Sequence, residues 1–363
     1  MRADRIGDRV PAHARGRVHS VFKRACNIET HNGELVTLLA HELGNVPHGV
    51  RLADAVAPFG SWLTPGQNAI LENSALRVPD AGITVDLSGA AVWRGAVAAV
   101  LIDPCSMDTG SMDAGSRDTG SRDTGSMDPC SMNPGGAASA VALRELRATL
   151  FERAPEQGFV PLLAAAASTR TAIERACSAR LSHTLPLLAR ATERRDVMGV
   201  AGAAARLVGL GPGLTPSGDD FIAGYLAALW SRAGFESGID AMLHSLGDAL
   251  APLFLRTNAI SRQMLGDAAQ GRFAERLVDV TRAVAGAGDV VSAAAHALAS
   301  GHSSGADTLC GLLFGYATEQ TAPSPPVRAS RQPLPRRSIR TQRGPNDHDR
   351  LTTRENATCL PLW

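Results

Sequence analysis

The chain has 363 residues and is 44% hydrophobic, enough for a sizeable core in one large or two ordinary domains. It lacks any apolar run of roughly 18 residues, and its Arg-rich start lacks the apolar stretch of a secretory signal, so we expect a cytoplasmic protein with no membrane span. The net charge of +1 conceals a split: both termini are basic, which leaves about −7 on residues 21–322, and that globular part carries no nucleic-acid footprint.

Lys23 is the only lysine, which excludes a phosphate loop of the Gly-Lys-Ser/Thr type and leaves little room for Schiff-base chemistry. Cys26, Cys105, Cys130, Cys177, Cys310 and Cys359 form no close pair, so reduced thiols fit better than a disulfide framework or a zinc site.

Residues 1–17 read as a disordered basic arm and residues 18–102 as a β-rich domain. Arg17–Ile28 alternates weakly, His31-Asn32-Gly33 supplies a hairpin turn, and Glu34–Leu39 is the return strand. Further short strands are expected at Ala69–Glu72 and Ile83–Leu87. Residues 103–136 are a five-residue repeat of the Asp-Thr-Gly-Ser-Met kind, with too little apolar surface to fold; a disordered insertion is the reading, since calcium repeats are longer and richer in Gly. Residues 137–321 are Ala-, Leu- and Arg-rich, with turn residues spaced for roughly eight helices. Residues 322–363 form a Pro- and Arg-rich tail that reads as disordered. The fold class is therefore α+β: a small β-rich N-terminal domain followed by an all-helical C-terminal domain.

The sharpest feature is Gly209-Leu-Gly-Pro-Gly-Leu-Thr-Pro-Ser-Gly-Asp-Asp220, ahead of an apolar helix. Gly209, Gly211 and Gly213 let backbone approach a ligand closely. Thr215 can cap, and Pro216 suits the first helical position. Free N–H groups at such a start favour phosphate or carboxylate, whereas Asp219 and Asp220 favour a cation or an ammonium-like group. A capped helix alone would use Ser217 and Asp220 in the same way, but it does not require three glycines and two prolines.

A second copy follows. Ser304-Gly305-Ala-Asp307-Thr-Leu-Cys-Gly311 matches Ser217-Gly218-Asp-Asp220-Phe-Ile-Ala-Gly224. Gly224 and Gly311, one turn after each Asp, would let two helices approach closely, with Asp220 and Asp307 opposed in a polar pocket. His302 and Ser303 precede this copy, and a His there can serve as an acid or base. Thr257, Asn258 and Ser261 form a third polar cluster, with Thr257 and Ser261 on one helix face. The remaining histidines have no metal-ligand spacing.

At these three motifs the chain resembles the AllH-type family, which includes a subunit of bacterial oxamate carbamoyltransferase. The resemblance covers residues 138–318 well and about 18–100 weakly. It implies a transferase of purine breakdown that moves a carbamoyl group between carbamoyl phosphate and oxamate, with other subunits as partners. In that reading Gly209, Gly211, Gly213, Thr215, Ser217, Gly218, Thr257, Asn258, Ser261, Ser303, Ser304 and Gly305 bind the anionic substrate. Asp219, Asp220, Asp307 and His302 are the catalytic candidates. No cofactor is required, although Mg2+ between Asp220 and Asp307 is admissible. Two alternatives stay open: a non-catalytic partner of the catalytic subunits, and a metal-dependent hydrolase using the aspartates.

Overall fold

The computed structural model describes residues 1–97, 138–154, 156–163, 171–233 and 239–320. The five-residue repeat and the Pro/Arg tail lie outside these residues.

Alternation builds the N-terminal half. In β2 (Ala14–Val21), Gly16 and Val18 are buried while Arg15, Arg17 and His19 are exposed, the period of a half-buried strand. β3 (Ala25–Thr30) and β4 (Leu35–Leu39) pair antiparallel with Ile28 opposite Val36. Gly33, at φ 80°, turns the chain between them, in keeping with the Asn-Gly signal. β5 (Gly49–Leu52), β6 (Asn68–Glu72), β7 (Ala75–Val78), β8 (Ile83–Asp86), β9 (Ala91–Trp93) and β1 (Ala3–Gly7) complete one sheet of order β8-β7-β6-β2-β3-β4-β5-β1-β9. All pairs are antiparallel except β4–β5 and β1–β9. The sheet curls like a barrel: the main chain of Met1 and Asp86 bonds at 2.9 Å, and Arg2 bridges Asp86 on β8. Its interior is packed with Val18, Ile28, Val36, Leu38, Val50 and Val85.

Residues 1–17 are thus a correction to the expected disordered arm. They supply β1 and the start of β2, and their charges sit at the sheet's outer face. Arg51 on β5 donates to both carboxylate oxygens of Asp4, at 3.0 and 2.6 Å. Polar side chains that read as a solvated arm are, in fact, the outward half of an alternating strand.

The described helices are α1 (Ala140–Arg153), α2 (Val160–Leu163), α3 (Ala172–Glu193), α4 (Val197–Ala204), α5 (Ser217–Trp230), α6 (Ile239–Leu250), α7 (Ala259–Ala269), α8 (Glu275–Val284), α9 (Val290–Leu298) and α10 (Ser304–Gln320). Short connections and a 3-10 segment at Ala251–Arg256 divide the span more finely than its turn residues suggested. None is long and apolar enough to cross a membrane.

α5 and α10 form the centre. α5 is buried from Gly218 to Trp230. A Cβ on Gly224 would fall 1.9 Å from the Thr308 carbonyl oxygen, and one on Gly311 would fall 1.9 Å from that of Phe221. The contact is reciprocal, since Thr308 follows Asp307 and Phe221 follows Asp220. The two copies therefore cross backbone to backbone, as their glycines predict. Phe221 and Phe314 pack beside the crossing at 5.6 Å between rings.

Polar contacts tie the halves together. Asp8 pairs with Arg272, His48 Nδ1 lies 3.1 Å from Asp267 Oδ2, and Glu275 Oε2 accepts the Asn45 N–H at 2.7 Å. The Gln263 side-chain oxygen accepts the Leu35 N–H at 3.2 Å.

Candidate functional site

The Gly-rich turn is irregular because its glycines adopt positive φ: 73° at Gly209, 113° at Gly211 and 102° at Gly213. Pro216 ends it. The Pro216 carbonyl accepts the N–H groups of Asp219 and Asp220 at 2.8 and 3.1 Å, so Pro216 is the N-cap and Ser217 the first helical residue. This corrects the expected start by one residue. The cap has no side-chain bond, so neither Thr215 nor a Ser217–Asp220 box closes the helix end. The Thr215 hydroxyl instead meets that of Ser304 at 2.5 Å, joining the two motifs.

The two acids of the turn have different surroundings. Asp219 is 0% exposed. Its Oδ1 accepts the Gly209 N–H at 2.7 Å and its Oδ2 accepts the Thr257 hydroxyl at 2.5 Å. Burial raises its pKa, and the donors from Thr257, Gly209 and Ser261 oppose that rise. Asp219 therefore pins the start of the turn to the segment before α7. Thr257 lies ahead of that helix rather than on its face, and the Asn258 side chain caps it, accepting the N–H groups of Ile260 and Ser261 at 3.0 and 3.1 Å. Ser261 is buried, with its hydroxyl directed to the Leu214 carbonyl.

Asp220 is 2% exposed, yet it lines a cleft, and its Oδ2 has no hydrogen-bond partner among the described residues. Burial pushes its carboxyl up to about 8; Asp307 adds to the rise, while the Ser304 and Thr215 hydroxyls oppose it. Asp307 is 0% exposed and turns away, its Oδ1 accepting the Phe159 N–H at 2.7 Å. The helix starts do cross, but of the two carboxylates only Asp220 lines the cleft. Ser304 and Gly305 line it too, whereas His302 and Ser303 do not; His302 is exposed.

The backbone donors of the turn divide likewise. Gly218 N–H donates to the Leu210 carbonyl at 2.8 Å. The N–H groups of Gly211, Gly213, Leu214, Thr215 and Ser217 donate to no acceptor among the described residues. No set of three or more His, Cys, Asp or Glu side chains among the described residues is grouped to hold a metal ion.

The cleft, about 570 Å³, runs between the two halves. From the barrel come Phe22, Asn27, Leu35, Thr37, Pro47 and His48. Strand alternation explains the choice: Val36 and Leu38 fill the barrel while Leu35 and Thr37, between them, face the helices. From the helical half come Leu214, Thr215, Asp220, Ser304 and Gly305 of the two motifs, with Met264 and Leu277 among the apolar walls. Its size is that of a small-molecule site, and polar side chains such as Asn27, Thr37, Gln263 and Arg276 stand among its apolar walls.

Two comparisons bear on these residues. The family described as oxamate carbamoyltransferase subunit AllH matches residues 207–316, and the AllH family N-terminal domain matches residues 3–92. The chain belongs to the AllH family. The first match begins two residues before Gly209 and runs past the second motif, and the second runs from β1 into β9. Both walls of the cleft thus lie within AllH segments, as does β1. No solved structure matches the chain.

Several cleft residues of this AllH chain carry no sequence signal. His48 follows a lone proline in a loop, and Arg276 is one arginine among many. Both become apparent only when the barrel docks on α7 and α8.

Proposed function

We propose that this AllH chain works as a subunit of an oxamate-type carbamoyltransferase and that its interdomain cleft holds an anionic reactant, carbamoyl phosphate or oxamate. The family is one of subunits, so the other subunits of the enzyme are its partners. The observation that carries the reading is the juxtaposition of Leu214 and Thr215, whose backbone N–H groups are unbonded, with Asp220, one of whose oxygens is unpartnered, along one cleft.

In carbamoyl transfer the oxamate nitrogen attacks the carbamoyl carbon, the bond from that carbon to the phosphate oxygen breaks, and a proton leaves the nitrogen as phosphate departs. Charge moves onto the carbonyl oxygen and the leaving phosphate. Fixed donors aimed at those oxygens stabilise that change without reorganising. The N–H groups of Leu214 and Thr215, on the cleft wall, are such donors, with those of Gly211, Gly213 and Ser217 beside them in the turn and the dipole of α5 behind. Asp220 would repel an anion if ionised. With its pKa pushed up to about 8 it is neutral at pH 7, so it can accept a bond from the carbamoyl NH2 beside the anion. Asp219 and Asp307 position the scaffold in this reading, through Gly209, Thr257 and Phe159.

The test is reconstitution with the co-purifying subunits, following phosphate release from carbamoyl phosphate in the presence of oxamate. Asp220→Ala, which removes the acceptor, should lower the rate about fivefold or more, since a partner left unsatisfied costs about 1–3 kcal/mol. A complex with the wild-type rate would remove Asp220 from the reaction, and a preparation that binds no partner would refute the subunit reading.

A further inference from the structure

Arg276 is the second residue of α8 and lines the same cleft, half-buried. Its Nη1 donates to the Ser300 hydroxyl at 2.7 Å. Among the described residues it has no salt bridge. The neighbouring acid, Glu275, has its Oε2 engaged by the Asn45 N–H at 2.7 Å and the Asn45 amide at 3.0 Å. On the barrel side the exposed Arg24 lies on the β2–β3 turn, next to Ala25 and two residues after Phe22, which both line the cleft. Burial holds the Arg276 guanidinium below its ordinary value, the nearby Arg24 charge lowers it further, and Glu275 compensates only in part.

Arg276 thus lines the cleft without a carboxylate paired to it, and the exposed Arg24 on the barrel is near enough for its charge to be felt. A partly desolvated charge is unfavourable unless paired. A guanidinium carries five donors in a planar fork, and Ser300 takes one; the rest match the oxygens of phosphate or carboxylate. Asp267 and His48 also line the cleft, but they bond each other. Asp220 meets the hydroxyls of Thr215 and Ser304.

We propose that Arg276, with Ser300 and the barrel's Arg24, forms a second anion-binding point in the cleft, taking a phosphate or carboxylate group. This rests on the carbamoyl-transfer reading, in which both reactants are anions. A cleft that holds both needs two separate anion points, because like charges brought together repel. The Gly-rich turn supplies one from backbone dipoles, and Arg276 supplies the other from a fixed charge. Ser300 links them in sequence: its carbonyl accepts the Gly305 N–H at 3.2 Å, next to the Ser304 hydroxyl that meets Thr215. Because Arg24 comes from the barrel and Arg276 from the helices, an anion seated there bridges the two halves.

The experiment is calorimetric titration of the full chain with inorganic phosphate and, separately, with oxamate, at low and high salt. Arg276→Gln should weaken one of the two anions about tenfold or more while leaving the other within about twofold, and that binding in the wild type should be the more salt-sensitive. Which anion is lost tells phosphate from carboxylate. Arg24→Gln, at an exposed position that packing does not depend on, should weaken the same anion. Wild-type affinity for both anions in Arg276→Gln, or in Arg24→Gln should Arg276→Gln fail to fold, overturns the proposal. If Gly213→Val abolishes both anions while the arginine variants bind normally, this inference fails alone. A wild-type chain that binds neither anion takes the carbamoyl-transfer reading down with it.

Discussion

Replacing Gly311 by Ala tests the helix crossing on which the site is built. The added Cβ would lie 1.9 Å from the Phe221 carbonyl oxygen, 2.7 Å from its carbon and 3.0 Å from its Cα, whereas ordinary contact begins at 3.4 Å. All three are backbone atoms of α5, so no side chain can swing aside, and the helices must separate. Overpacking of this kind costs about 1–3 kcal/mol, and a backbone clash belongs at the upper end. Ala regains about 1 kcal/mol of helix propensity over Gly. The net loss is then about 2 kcal/mol. Gly224→Ala should match it, because its Cβ meets Thr308 at the same 1.9 Å. Gly202→Ala on α4 is the control: nothing lies within 4 Å of its Cβ, so stability should rise by about 0.5–1 kcal/mol. Urea unfolding followed by circular dichroism reads all three. If Gly311→Ala proves as stable as the wild type, α5 and α10 do not cross as described.

Asp219→Ala leaves the Gly209 N–H and the Thr257 hydroxyl without their acceptor and should cost about 2–4 kcal/mol in the same assay, with Asp219→Asn well below that because one acceptor oxygen survives. A loss under about 0.5 kcal/mol for the alanine variant would mean that Asp219 does not pin the turn. The raised Asp220 pKa sets a sign. Between the ordinary carboxylate value of 3.8 and about 8 the native state holds a proton that the unfolded chain has released, so the contribution is complete below that window and lost as pH rises through it. Denaturant titrations at stepped pH should show a downward slope across the window that Asp220→Asn removes; an unchanged slope in the variant would assign the effect to another group.

The sequence was most informative where residue type leaves little choice. Asn32-Gly33 fixed a hairpin because Gly tolerates the 80° φ found there, and the paired Ser-Gly-x-Asp motifs announced a close helix crossing because only glycines allow it. Strand β7 was less visible: it returns through Asn73 and Ser74, both at positive φ without a glycine, so no strong turn signal marks it. β1 was hidden because its outward charges resemble those of the segment beside it, and its pairing with β5 and β9 is long-range. At the site, the motif residues could be read but not their directions. Asp220 and Asp307 occupy matched positions, yet one lines the cleft and the other bonds Phe159, a residue remote in sequence. Likewise, Thr215 is a residue type that caps helices, but its hydroxyl meets Ser304 instead.

The most direct test of the cleft as an anion site is calorimetric titration of Gly213→Val with carbamoyl phosphate, beside the wild type and Thr215→Ser. Gly213 sits at φ 102°, which a β-branched residue rarely adopts, and its Cβ direction is open, so Val both distorts the turn and covers its free N–H groups while touching no packed neighbour. We expect wild-type binding to persist in Thr215→Ser, which keeps the hydroxyl facing Ser304, and to disappear in Gly213→Val, which stays folded with a strain cost of about 1–3 kcal/mol. Undiminished heat of binding in Gly213→Val would place the anion elsewhere and contradict the assignment of the Gly-rich turn.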